Sequence, residues 1–211
     1  MTLAPHTILV HGFTRSRYDM MIMSRRLQKL LPDTTTHIFG YRSRRLSIQE
    51  AANELAHFVA TVTRGEQVSF VGHSLGGLIV RALDAMEAPP APMHRLVTLG
   101  SPHQGSSMAR FLSRWPPLRS IGGPVFQELG APQLPTRTSA IQVGCIIGAS
   151  GTRIGFFPPL KGDNDGLVSV EEAIFPACVS EIRIPVFHGF FPFSTTATRL
   201  TARFLERGSF A

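Results

Sequence analysis

The chain is short of the residues that tie small secreted or metal-bound folds together. Its 211 residues include only two cysteines, Cys145 and Cys178. That is too few for a disulfide framework, and their spacing matches no metal-ligand set. No apolar run approaches the roughly 18 residues of a membrane-spanning helix. The opening Met1-Thr2-Leu3-Ala4-Pro5-His6 has neither a basic leader nor an apolar stretch before a cleavage site. It therefore reads as carrying no secretory signal, with a cytoplasmic location as the expectation. Charged residues make up only 17% of the chain and hydrophobic ones 43%. Such a balance excludes intrinsic disorder and supplies enough apolar material for one domain-sized core.

Acidic residues are also scarce, 14 against 21 basic ones, for a formal net charge of +7. Most of the excess sits in residues 1–45, where Arg15, Arg17, Arg25, Arg26, Lys29, Arg42, Arg44 and Arg45 face only Asp19 and Asp33. A basic patch attracts nucleic acid, anionic lipid or an acidic substrate. No nucleic-acid motif accompanies it, so no specific nucleic acid is expected, and a solvated face in an arginine-biased chain is the plain reading. Weak contact of residues 15–45 with an anionic membrane is the partner expectation that the charge alone allows.

Six short β-branched runs stand out: His6–Val10, Thr36–Phe39, Val68–Gly72, Arg95–Leu99, Ile141–Ile147 and Ile182–Phe187. Most do not alternate, which suits strands of a parallel sheet covered on both faces. Helical patterns separate them. Met20, Met23, Leu27, Leu30 and Leu31 share one helical face. Ser47-Ile48-Gln49-Glu50 reads as a capping box opening a helix striped by Ile48, Ala51, Leu55, Phe58, Val59 and Val62. Leu75–Met86 forms a third helix, and a last one runs from about Thr196 to a stop at Gly208. This alternation predicts an α/β fold with a mostly parallel sheet of about six strands between helical layers. One domain, 1–211, is expected. The Pro- and Gly-rich stretch between Leu99 and Ile141 is too long for a plain connection and suggests a small cap at 103–140. Within it, Ser106–Trp115 reads as an amphipathic helix with Met108, Phe111, Leu112 and Trp115 facing inward.

Gly72-His73-Ser74-Leu75-Gly76 places G-x-S-x-G between a strand and a helix. A random chain of this composition shows the bare pattern about one time in eight, so the context is what makes it specific. A strand-to-helix turn that sharp strains the serine backbone, and glycines two before and two after relieve the crowding. Ser74 is thereby the candidate nucleophile. A nucleophilic serine needs a base and an orienting acid, in this fold in the order Ser, Asp or Glu, His. Given an acid after the fifth strand, only His188 follows it. The acid lies in Gly162-Asp163-Asn164-Asp165-Gly166, where Asp163 and Asp165 both qualify. Asp165 is preferred, being tied to the turn glycine and to Leu167-Val168. Two backbone N–H groups must hold an oxyanion at the same rim. Leu75 supplies one, and Phe13, after the His11-Gly12 turn, the other.

These pieces resemble the α/β-hydrolase superfamily, closest to small bacterial lipase and esterase-like proteins. The likeness rests on HGF at 11–13, GHSLGG at 72–77, LGSPHQGS at 99–106, NDGLV at 164–168 and the histidine of VFHGFF at 186–191. It implies a Ser74–His188–Asp165 triad, a Phe13/Leu75 oxyanion hole, a structural role for His103, and neither cofactor nor metal. With so few residues before the first strand, a reduced sheet of six strands is implied. The implied activity is hydrolysis of carboxylic esters through an acyl-enzyme on Ser74, with a small-molecule ester or lipid as substrate. An acyltransferase or thioesterase would use the same residues. A more distant reading is a non-catalytic basic binding module. Oligomeric state has no signal in the sequence.

Overall fold

β-Branched runs with apolar residues on both faces need neighbours on both edges and cover on both sides, and a single sheet provides this. The structure, a computed structural model, describes residues 3–117, 122–135, 141–150 and 160–211. Strands β1 (His6–Val10), β2 (Thr35–Phe39), β3 (Val68–His73), β4 (Met93–Leu99), β5 (Gln142–Gly148) and β6 (Ser180–Ile184) lie in the order β2-β1-β3-β4-β5-β6. Every pairing is parallel. Central β3 is buried along its whole length, whereas the edge strands β2 and β6 are partly exposed.

The described α-helices are α1 (Met21–Leu30), α2 (Ile48–Thr63), α3 (Leu75–Asp84), α4 (Ser107–Leu112), α5 (Pro124–Gly130), α6 (Val170–Ala173) and α7 (Thr195–Arg207), with short 3-10 helices at Arg17–Met20 and His188–Phe193. Helices α2 and α3 cover one face of the sheet, and α1 and α7 the other. The pleat divides the strands between the two layers. Ile8, Val10 and Phe70 pack with α2 and α3, while Leu9 and Val71 pack with α1 and α7. Fully burying one such side chain contributes roughly 1.5–3 kcal/mol, so both layers are driven by the same apolar strands.

Local signals set the helix ends. Ser47 Oγ accepts the Glu50 N–H at 3.1 Å while Glu50 Oε2 accepts the Ser47 N–H at 2.8 Å, a reciprocal cap on α2. Helix α7 ends where Gly208 turns left-handed at φ 77°. None of the described helices is long and apolar enough to cross a membrane.

The structure corrects several details. β6 stops at Ile184 rather than Phe187, because Pro185 has no N–H to continue the ladder. Leu30 and Trp115 are exposed, and Met86 lies past the end of α3. The helix expected over Ser106–Trp115 is only Ser107–Leu112; Pro116 and Pro117 disfavour the helical conformation just ahead of them. Parts of the cap expected at 103–140, residues 118–121 and 136–140, lie outside the described residues.

The chain leaves β1 for β2 on one side and returns to β3 on the other. The carboxyl ends of β1 and β3 therefore open a crevice at the switch point, where open parallel sheets bind ligands.

Candidate active site

Strand β3 ends at His73 and α3 begins at Leu75, so one residue makes the whole turn. Ser74 does so at φ 54°, ψ −121°. A non-glycine residue held there stores about 1–3 kcal/mol of strain. The flanking glycines allow it. A Cβ on Gly72 would collide with the backbone of Gly77, and one on Gly76 with the Val10 carbonyl. What the glycines relieve is thus the seating of α3 against β3 and β1.

His188 and Asp165 meet at the neighbouring strand ends. The His188 Nδ1–H donates to Asp165 Oδ2 at 2.7 Å, with Asp165 fully buried and His188 nearly so. The other carboxylate oxygen, Oδ1, accepts the N–H groups of Leu167 at 3.0 Å and Val168 at 2.7 Å. Asn164 shapes the turn by accepting the Gly166 N–H on Oδ1. Asp163 is exposed, and its carboxylate accepts the Asn164 N–H at 2.8 Å. Of the two aspartates, the one brought to His188 is Asp165.

The His188 backbone is held on both sides. Its N–H donates to the Asp165 carbonyl at 2.8 Å, and its carbonyl accepts Nε2–H of His73 at 3.0 Å. The imidazole is thereby fixed with Nε2 on the side away from Asp165. Ser74 and His188 line one cavity of about 400 Å³ with Gly12, Phe13, Met108, Phe126, Leu129 and Leu167 among its walls. Gly12 presses close to the serine, since a Cβ there would lie 3.0 Å from Ser74 Cβ. Thr14 turns its N–H away, to Ser43 Oγ at 3.0 Å. Leu75 is the first residue of α3, where a backbone N–H has no acceptor within the helix.

The other histidines near the rim are kept neutral. Burial, and then the neighbouring His188, push His73 well below the ordinary histidine value. Burial followed by the Arg81 charge does the same to His103. His103 accepts Arg81 Nη1–H at 3.1 Å and donates to Thr98 Oγ1 at 3.2 Å, stacked on Phe175. Its hydrogen bonds place it in the scaffold behind the site. His11 is lowered by burial, donating from Nδ1 to the Gly12 carbonyl and stacking on Tyr41. Among the described residues no group of three or more His, Cys, Asp or Glu could hold a metal ion.

Three contributors escape a reading of the sequence. His73 looks like the variable residue of G-x-S-x-G but anchors the His188 carbonyl. Gly100, at φ 58°, leaves room for the hydrogen-bonded Asp165 and His188: a Cβ there would lie 2.9 Å from Asp165 Oδ2 and 3.3 Å from His188 Nδ1. Arg15 reaches across from the loop after β1 to the Gly189 carbonyl at 3.5 Å. Only the histidine before the serine and the glycine of LGSPHQGS had any local signal.

A family model described as palmitoyl protein thioesterase matches residues 6–134, more than half of the chain. No curated protein matches it. Among solved structures, the mature form of Bacillus licheniformis lipase BlEst2 is similar at 19% identity and a TM-score of 0.77, over 97% of this chain and 93% of that one. Phospholipase PlaB from Legionella pneumophila, 17% identical with a TM-score of 0.60, matches 80% of this chain with 45% of its own. A Xanthomonas campestris protein assigned to the alpha/beta hydrolase superfamily is 14% identical with a TM-score of 0.59, over 95% of this chain and 98% of that one. At these identities the likeness is one of fold, and the fold is that of the α/β-hydrolases.

Proposed function

The chain belongs to the palmitoyl protein thioesterase family, hydrolases of the ester or thioester type, and from that premise we propose that it transfers acyl groups to water through Ser74. The observation that carries this reading is the strained Ser74 sharing one cavity with His188, whose imidazole is held by Asp165. Nε2 of His188 takes the proton of Ser74 Oγ as Oγ attacks the carbonyl carbon. The N–H groups of Phe13 and Leu75 hold the oxyanion. Collapse breaks the bond to the alcohol or thiol, which leaves with the proton from His188. Water then attacks the acyl-enzyme by the same route and releases the acid. Asp165 fixes the tautomer and stabilises the imidazolium. Its second oxygen, already held by two backbone N–H groups, keeps the carboxylate oriented throughout.

Carboxylic esters are the leading substrates, small or lipidic. The family match raises the standing of thioesters, which need no other residues. The apolar side of the cavity, with Met108, Ala109, Phe126 and Leu129, suits the acyl chain. A cavity of about 400 Å³ fits short to medium chains. An acyltransferase would differ only in its acceptor, so turnover of the acyl-enzyme by water against added alcohol separates the two. A non-catalytic binding module is disfavoured because Ser74 and His188 share one cavity and buried Asp165 holds the His188 imidazole from behind.

The test is labelling with a fluorophosphonate, followed by a chain-length series of p-nitrophenyl esters and matched thioesters. Label on Ser74 and hydrolysis in either series are expected. An unlabelled Ser74 with neither series cleaved would overturn the reading.

A further inference from the structure

Beside the cavity that holds Ser74 lies a second, open groove of about 460 Å³. The two share Thr14 and Arg15, so they meet at the loop after β1. Their linings contrast. Apolar side chains from α4, α5 and Leu167-Val168 form the far wall of the first, while Arg15, Arg42, Arg44 and Arg45 line the second. We propose that this groove is the subsite for a phosphate group carried by the leaving alcohol or thiol of the substrate. The inference rests on the acyl-transfer reading and adds the substrate class: acyl esters or thioesters of a phosphate-bearing partner.

The groove is built on a held loop. Ser43 is buried, and its Oγ accepts the Thr14 N–H at 3.0 Å, tying residues 42–45 to the loop after β1. Arg45 N–H closes a turn on the Arg42 carbonyl at 2.9 Å. On the other side the Arg44 carbonyl abuts Gly123, where any Cβ would collide with it. Pinned at both ends, the loop presents its arginines outward, and all three are exposed. Asp19 pairs with Arg15 at 3.1 Å, and Glu128 is engaged by the Ile48 N–H at 2.6 Å. Among the described residues no carboxylate forms an ion pair with Arg42 or Arg45. The like charges of Arg42 and Arg45 therefore repel until an anion joins them, and guanidinium forks match phosphate oxygens bidentately. With the acyl chain directed to the apolar side, the basic side is left to the leaving group.

Two sources supply such a group, a phosphate-bearing thiol such as coenzyme A and a phosphoglyceride. Each has its own arm. Butyryl-coenzyme A is compared with butyryl-N-acetylcysteamine, the same thioester without phosphate. Dihexanoyl phosphatidylglycerol below its micelle concentration is compared with dihexanoyl glycerol. In at least one arm kcat/KM should favour the phosphate-bearing substrate by about tenfold or more. Arg42→Gln/Arg45→Gln should erase most of that preference, and Arg207→Gln should not. Calorimetric titration of Ser74→Ala with coenzyme A and with glycerophosphoglycerol reads the groove without turnover. Failure of all ester cleavage with phosphate binding intact would count against the acyl-transfer reading alone. Where the esters are cleaved, the phosphate subsite is overturned if neither arm shows a preference or if the preference survives the double substitution; where they are not, it is overturned if neither titrant binds Ser74→Ala.

Discussion

Ser74 and His188 follow closely on β3 and β6, and Asp165 packs against the end of β5, whereas the wall facing them is made by α4 and α5, helices of six and seven residues. The two regions are held differently. On the sheet side each group is held through backbone: the one-residue turn at Ser74, the Leu167 and Val168 N–H groups on Asp165, and the His188 N–H and carbonyl, gripped by the Asp165 carbonyl and the His73 imidazole. The wall is stitched to the rest mainly by side chains. Glu172 Oε1 accepts the Ser107 N–H, Glu128 Oε2 accepts the Ile48 N–H, and Arg81 reaches the Pro135 carbonyl, while Arg110 joins the two helices through the Gly130 carbonyl. On the acyl-transfer reading, the contrast assigns the chemistry to the sheet edge and the selectivity to the wall, so substitutions in the two should differ in kind.

The sharpest test of that division is Ser74→Ala. It should lower turnover by about four orders of magnitude or more and abolish fluorophosphonate labelling, with unchanged circular dichroism. Labelling that persists at another serine would move the chemistry off the sheet edge. Next in size, Asp165→Asn should cost about a thousandfold in kcat, while Asp163→Asn stays within about threefold. Equal losses would mean that the turn rather than the carboxylate matters.

Wall substitutions should instead reshape preference. Wild type is expected to favour short to medium acyl chains with no jump in rate at the solubility limit. Phe126→Ala should move the optimum to longer chains, because each methylene gains about 0.8 kcal/mol, roughly fourfold in rate, while room remains. Best activity on emulsified long-chain esters would show that the wall opens as a lid.

Acid should act on the scaffold. His73 and His103 are neutral in the fold with values well below the ordinary histidine value. The unfolded chain binds more protons below about pH 6.5, so their contribution is complete above that pH and declines as pH falls towards the folded values. Each contributes up to about 1.4 kcal/mol per pH unit in that window. Denaturant titration at pH 7.5 and 5.5 checks the direction, and a midpoint that rises on acidification would contradict it. The smallest effect belongs to Trp115, 59% exposed, where alanine should change stability by less than about 0.5 kcal/mol.

The sheet side was the legible one. Runs such as His6–Val10 carry their strand character locally, and the elbow announces itself through glycines that a tight turn demands. The wall depended on contacts far apart in sequence. The inward stripe over Ser106–Trp115 outweighed the local stop signal of Pro116 and Pro117, and the anchoring of the start of α4 by Glu172, 65 positions away, had no sequence signal at all. His73 and Arg15 were hidden for the same reason: each acts on a backbone carbonyl in the loop after β6, over a hundred positions away.

β6 is an edge strand, joined to the sheet through β5 alone and exposed along part of its length. The segment carrying His188 follows it directly. Edges fray at lower free energy than central strands. Warming should therefore part His188 from its partners while β1, β3 and β4 still hold, and catalysis would be lost before the molecule melts. Residual activity measured after brief heat pulses would then decline several degrees below the calorimetric transition and recover on cooling, marking β6 as the thermal fuse of the fold.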